Sequence, residues 1–142
     1  MDLFRAIREA WIVQLDAEPT MQALGLAFVD MPAITRADIE DGNRAGYVQL
    51  GDEVTTQDDD VLRLTIITTV VAGALDAKSS EDLIAAARPA IIAAYRTDPE
   101  LGGLVGRGRY AGSQRVVDGD GNRVYGARHY MLTVDYLSPE IT

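Results

Sequence analysis

Asp118, Asp120 and Asn122 stand two residues apart in the stretch "VVDGDGNRVYG" at 116–126, the spacing of the first three ligands of a helix–loop–helix calcium site. Such a loop closes on an ion only if glycine allows a sharp turn at its sixth position and a bidentate glutamate occupies its twelfth. Here those positions hold Arg123 and His129. The run reads instead as the turn of a β-hairpin, because glycine and asparagine tolerate the positive φ that tight turns demand. Asp58, Asp59 and Asp60 are a second acidic candidate, but three consecutive side chains point in different directions, which suits a solvated turn better than an ion cage.

His129 is the only histidine and the chain has no cysteine. An acid–base or nucleophilic scheme must therefore pass through His129 or rest on carboxylates alone. Its place in an alternating stretch favours a structural or interface role. "GGLVGRG" at 102–108 has the glycines of a dinucleotide fingerprint, yet it follows a helix and a proline turn and precedes a strand, the reverse of the order such sites need. Arg107, Arg109, Arg115, Arg123 and Arg128 concentrate positive charge in one part of a chain whose net charge is −9. Such a group suits either a solubilising face or contact with an acidic neighbour, another copy of the chain included.

At 142 residues, 47% hydrophobic and 25% charged, the chain has the size and balance of one globular domain spanning 1–142. Its acidity disfavours a phosphate backbone as partner. The absence of cysteine excludes disulfides and thiolate chemistry. Asp2, Arg5, Arg8 and Glu9 interrupt the N-terminal apolar residues, so no signal peptide is expected there, and no apolar run reaches the ~18 residues of a membrane helix.

The elements follow from periodicity. Leu3, Ile7, Trp11 and Leu15 recur every four residues and predict an amphipathic helix bounded by Pro19. Residues 26–34 allow at most a short edge strand before Pro32. "GYVQLGDEV" at 46–54 predicts a short strand ending at Gly51, then an acidic turn. In "VLRLTIITTVVA" Leu62, Leu64, Ile66, Thr68 and Val70 share one face, expected to meet the core. The opposite face carries Ile67 and Val71, apolar enough to meet another subunit. Ser79 is the expected N-cap of a second helix, whose apolar stripe runs from Leu83 to Ala94 and which Pro89 should kink. Alternation at 128–136, preceded by an extended stretch near 104–117, predicts a long C-terminal hairpin. The sum is an α+β domain: an antiparallel or mixed sheet of about four strands, packed by two helices.

In this order, the N-terminal helix, "GYVQLGDEV", "LRLTIITTVV" at 62–71, "SSEDLIAAARPAIIAAY" at 79–95 and "RHYMLTVDYL" at 128–137 give the chain its likeness to a known family. It resembles the tail terminator, or tail completion, proteins of long-tailed bacteriophages, prophages and gene-transfer particles. The resemblance spans nearly the whole chain and rests on element order and short signatures; Pro89 inside the second helix and a long tip at 116–126 depart from it. It implies a virion structural protein, made in the bacterial cytoplasm, that forms a homo-oligomeric and usually hexameric ring on the head-proximal end of the tail tube. That ring would stop tube growth and meet the neck or head-completion protein, with DNA only passing through its lumen. No cofactor, metal, membrane or enzymatic activity is implied. Charge and expected position single out Asp52, Glu53, Asp58, Asp59 and Asp60 as a loop reaching the tube, and Arg107, Arg109 and Arg128 as partner-facing. Two other readings stand beside this one: a head-closure or neck connector protein, and a small ligand-binding or enzymatic α+β domain built on His129.

Overall fold

The β-branched alternation of residues 61–74 produces the strand on which the fold is organised. The computed structural model describes residues 2–30, 44–57, 60–74, 77–106, 108–120 and 123–137. In chain order the elements are α1 (Leu3–Ala17), α2 (Pro19–Ala23), β1 (Phe28–Asp30), β2 (Arg44–Thr55), β3 (Val61–Ala74), α3 (Ala77–Ala85), α4 (Ala87–Thr97), β4 (Gly108–Asp120) and β5 (Arg123–Leu137). The strands form one five-stranded sheet in the order β1-β2-β3-β5-β4. All neighbours are antiparallel except β1 and β2, so the sheet is mixed. The α+β class and the long C-terminal hairpin are as expected, and the fifth strand is the three-residue β1 at one edge.

Leu62, Leu64, Ile66, Thr68 and Val70 of β3 are buried, as are Tyr130, Leu132, Val134 and Tyr136 of β5 beside them. Ile7, Trp11 and Leu15 of α1 close over this face, joined by Ile84 of α3 and by Ala87, Ala90, Ile91 and Ala94 of α4. The alanines present little bulk, which lets the backbone of α4 lie close to its neighbours. Each larger apolar side chain removed from water contributes roughly 1.5–3 kcal/mol. Two polar groups inside this core are satisfied across layers. Trp11 Nε1 donates to Thr68 Oγ1 at 2.8 Å, and the Tyr130 hydroxyl donates to the Ile84 carbonyl at 2.9 Å. Burial pushes the Tyr130 phenol up to about 12, so it remains a donor throughout the ordinary pH range.

Several boundaries differ from the sequence expectation. Asp2 caps α1 by accepting from the Arg5 amide, and Pro19, rather than only ending a helix, occupies the first turn of α2, where its missing N–H costs nothing. The second predicted helix starts at Ala77, two residues before the expected cap at Ser79. It then divides at Ala86, whose φ of −61° and ψ of −23° keep the chain nearly helical. Pro89 has no N–H to return to the Ala85 carbonyl, which accounts for the break. β2 does not stop at Gly51: Leu50 pairs with Ile66 and Glu53 with Leu64, so one extra residue is accommodated as a bulge and the strand continues to Thr55. At the other end of the sheet Asp120 pairs with Arg123, so the two strands of the hairpin run to within two residues of each other.

Trp11→Phe should orphan the buried Thr68 hydroxyl and cost about 1–3 kcal/mol in urea denaturation. Adding Thr68→Val should recover part of that loss, because neither polar partner then remains; a double variant as unstable as the sum of the two single ones would show that the bond is not the cause.

Candidate functional site

All helix contacts just described fall on one face of the sheet. Register defines the other. Val29, Tyr47, Thr69, His129 and Gln114 form a row across all five strands. On one side of it lies the row Gln49, Ile67, Met131 and Gly112; on the other, Ala45, Val71 and Ala127. Thr65 and Thr133 come next, then Val54, Arg63 and Asp135, and last Val61 and Leu137. No described helix packs here. Thr69 is fully buried and Ile67, Val71 and Met131 are half-buried, while Val29, Val54 and Leu137 remain 40%, 50% and 61% exposed.

Between the rows of Val61 and Val71, the charged side chains that register places on this face lie towards the Val61 end. Arg63 grips Asp135 in two bonds, Nε to Oδ1 at 2.8 Å and Nη2 to Oδ2 at 3.3 Å, and the carboxylate holds the guanidinium in its charged form. Arg109 sits beside Thr133, exposed. The middle rows carry no charge except what His129 can acquire. Its Nδ1 lies 2.7 Å from Thr69 Oγ1, and desolvation lowers its pKa below the ordinary 6.5, so the ring is neutral at neutral pH.

The residues singled out from sequence separate in space. Asp58, Asp59 and Arg107 lie outside the described residues. Asp52 and Asp60 are exposed near the β2–β3 connection. Glu53 is turned by the bulge towards the helix side, where its Oε2 accepts from the Tyr136 hydroxyl. Arg128, expected to face a partner, lies instead on the helix-covered side: Nη1 donates to Ser113 Oγ at 2.8 Å and Nη2 to Glu81 Oε1 at 2.7 Å. Arg115 reaches the same carboxylate, Nε to Oε2 at 3.3 Å. The arginines therefore do not form one cluster.

A second bulge explains the separation. Tyr110 pairs with Leu132 and Gly112 with Met131, leaving Ala111 as an extra residue. Gly112 takes a φ of +108°, which a side chain would oppose. Arg109 and Arg115 are an even number of positions apart and would share a face in a regular strand; the inserted residue places them on opposite faces. Arg44 had no signal in the sequence at all. It donates to the Leu24 carbonyl at 2.9 Å and the Leu83 carbonyl at 3.2 Å, satisfying carbonyls near the C-terminal ends of α2 and α3.

Two clefts of about 510 and 750 Å³ open at the Val61 end of the sheet, one lined by Leu104, Val105, Tyr136 and Leu137, the other by Thr55, Thr56, Gln57 and Arg63. His129, the residue on which an enzymatic scheme would turn, lines neither of these two clefts. Among comparisons with known proteins, no family model matches the chain and no curated protein matches it significantly.

The His129 shift has a definite sign. Above 6.5 neither folded nor unfolded chain holds the proton; as pH falls below that value the unfolded chain takes it up first, and stability declines until the folded value is reached. Between about pH 7.5 and about pH 5.5 the urea midpoint should fall further for the parent protein than for His129→Gln. Equal declines would mean that the ring is solvated in the folded state.

Proposed function

We propose that the chain is a ring-forming virion structural protein of the tail-terminator type, capping the head-proximal end of a tail tube and offering the neck a surface to bind. The observation that supports this reading best is the open sheet face: a wide, regular surface, uncharged in its middle rows, on a chain whose net charge is otherwise strongly negative. A protein that acts by docking needs such a surface; a catalyst needs convergent polar groups in a hollow. A head-to-tail ring uses two unlike surfaces on every copy, and the open face together with the β4 edge of the sheet supplies two. The acidity of the chain suits a lumen through which DNA passes without adhering. On this reading the protein needs no cofactor and performs no catalysis. Arg109, on the open face, is the arginine best placed to meet an acidic neighbour, whereas Arg128 serves its own chain.

Deletion of the gene in a phage or prophage that carries it should give overlong tails without heads when lysates are viewed by electron microscopy. Tails of normal length beside filled heads would move the protein to the neck, and intact infectious particles would refute a virion role. Arg109→Glu should reproduce the deletion phenotype while leaving the far-UV circular dichroism of the purified chain unchanged.

A further inference from the structure

The free protein has to do something with its open face. We propose that, away from any other partner, a second copy of this chain covers it, the two sheets packing face to face across a two-fold axis with the helices outermost.

Dimensions give the first argument. From Val61 to Val71 the face runs ten residue steps along β3, about 34 Å at ~3.4 Å per residue, and its four long strands span roughly 20 Å at ~4.8 Å spacing. The product, roughly 700 Å², approaches the ~800 Å² that each partner contributes to a stable interface of ordinary size. Packed sheets sit about 10 Å apart, a gap that side chains the size of Ile67, Met131 and Val71 fill from both sides.

Charge gives the second. Two chains of net charge −9 repel over most of their surfaces. The open face between Val61 and Val71 is the exception, since its middle rows are neutral and its Arg63–Asp135 pair cancels internally, leaving Arg109 as the surplus charge of those rows. A basic partner would find no free carboxylate in those rows, and a nucleic acid would find too few cations. The same face of another copy offers what the rows require: apolar side chains, hydroxyls and no unmatched charge. The polar groups that flank His129 across the strands on that face are Thr69 and Gln114, neither of which carries a charge, so the ring can be buried without leaving a charge unpaired.

The dimer does not depend on the virion reading. Only its role does: if the chain builds a ring, face-to-face pairing would keep the ring-forming surface covered until a tube end displaces it.

Sedimentation equilibrium of the purified chain at micromolar concentration tests the pairing. The expected mass is twice the 15.4 kDa of one chain. Met131→Arg, which places a cation in the middle of the face, should sediment as a monomer with unchanged circular dichroism, and Val13→Arg, on the outer side of α1, should remain dimeric. A parent protein that stays monomeric over a hundredfold concentration range overturns the proposal, as does a closed ring in free solution. Should Met131→Arg fail to fold, Met131→Cys gives an independent reading, because the parent chain has no other thiol. Its alkylation should slow at least tenfold from dilute to concentrated protein, against a constant rate for Val13→Cys; concentration-independent alkylation at both positions refutes the contact. Tail morphology in the deletion strain and mass in solution are separate measurements, so either reading can fail without the other.

Discussion

Thr68 is fully buried in the central strand, among side chains that offer its hydroxyl nothing, and Trp11 is the group that reaches it. A hydroxyl left unpaired in such a place would cost about 1–3 kcal/mol, so the indole N–H is held to one position along β3. That position sets where α1 lies on the sheet. Gln14, one turn further along α1, then donates to the carbonyls of Ala94 and Asp98 at 2.6 and 2.9 Å, tying α1 to the C-terminal end of α4. Tyr130 makes the corresponding bond to α3 from the adjacent strand. The helix layer is thus fixed to the sheet by directional bonds as well as by apolar contact, and no described helix packs on the other side of the sheet.

The two bulges decide what that open side carries. Without the extra residue in β2, the helix-side position at Glu53 would belong to a different side chain, and Tyr136 would lose its acceptor. Without Ala111, Arg109 and Arg115 would point the same way: either Arg115 would join the open face and Glu81 would lose one of its two cations, or Arg109 would leave the open face for the helix side. Each insertion sorts charge between the faces. The outcome is a helix side whose ion pairs are internal and an open side whose middle is neutral.

Much of the architecture could be read from sequence because it rests on local repetition. The four-residue spacing of Ile7, Trp11 and Leu15 gave α1, the alternation from Leu62 to Val70 gave the core face of β3, and Pro89 announced the division between α3 and α4. Ile67 and Val71 also marked the second face of β3 as too apolar for water. What escaped depends on register between distant segments. Nothing near His129 says that it opposes Thr69, and nothing near Arg128 says that Glu81 is within 2.7 Å. Bulges escape for a related reason: one added residue reverses the facing of everything beyond it while barely disturbing the local pattern. The arginines grouped in the sequence part company for this reason, Arg109 on one face and Arg115 on the other.

The strand order carries a consequence for synthesis. β3 leaves the ribosome in the first half of the chain, yet one of its two neighbours is β5, the last strand made, and contacting residues such as Thr69 and His129 are 60 positions apart. Until the final strand emerges, the most apolar segment of the protein has a bare edge, and β4 has nothing to pair with. A premature stop just before β5 would remove the middle of the sheet rather than trim its rim. From the synthesis of β4 until β5 emerges, the nascent chain therefore consists of two fragments that cannot complete each other, and its folding is committed only at the end.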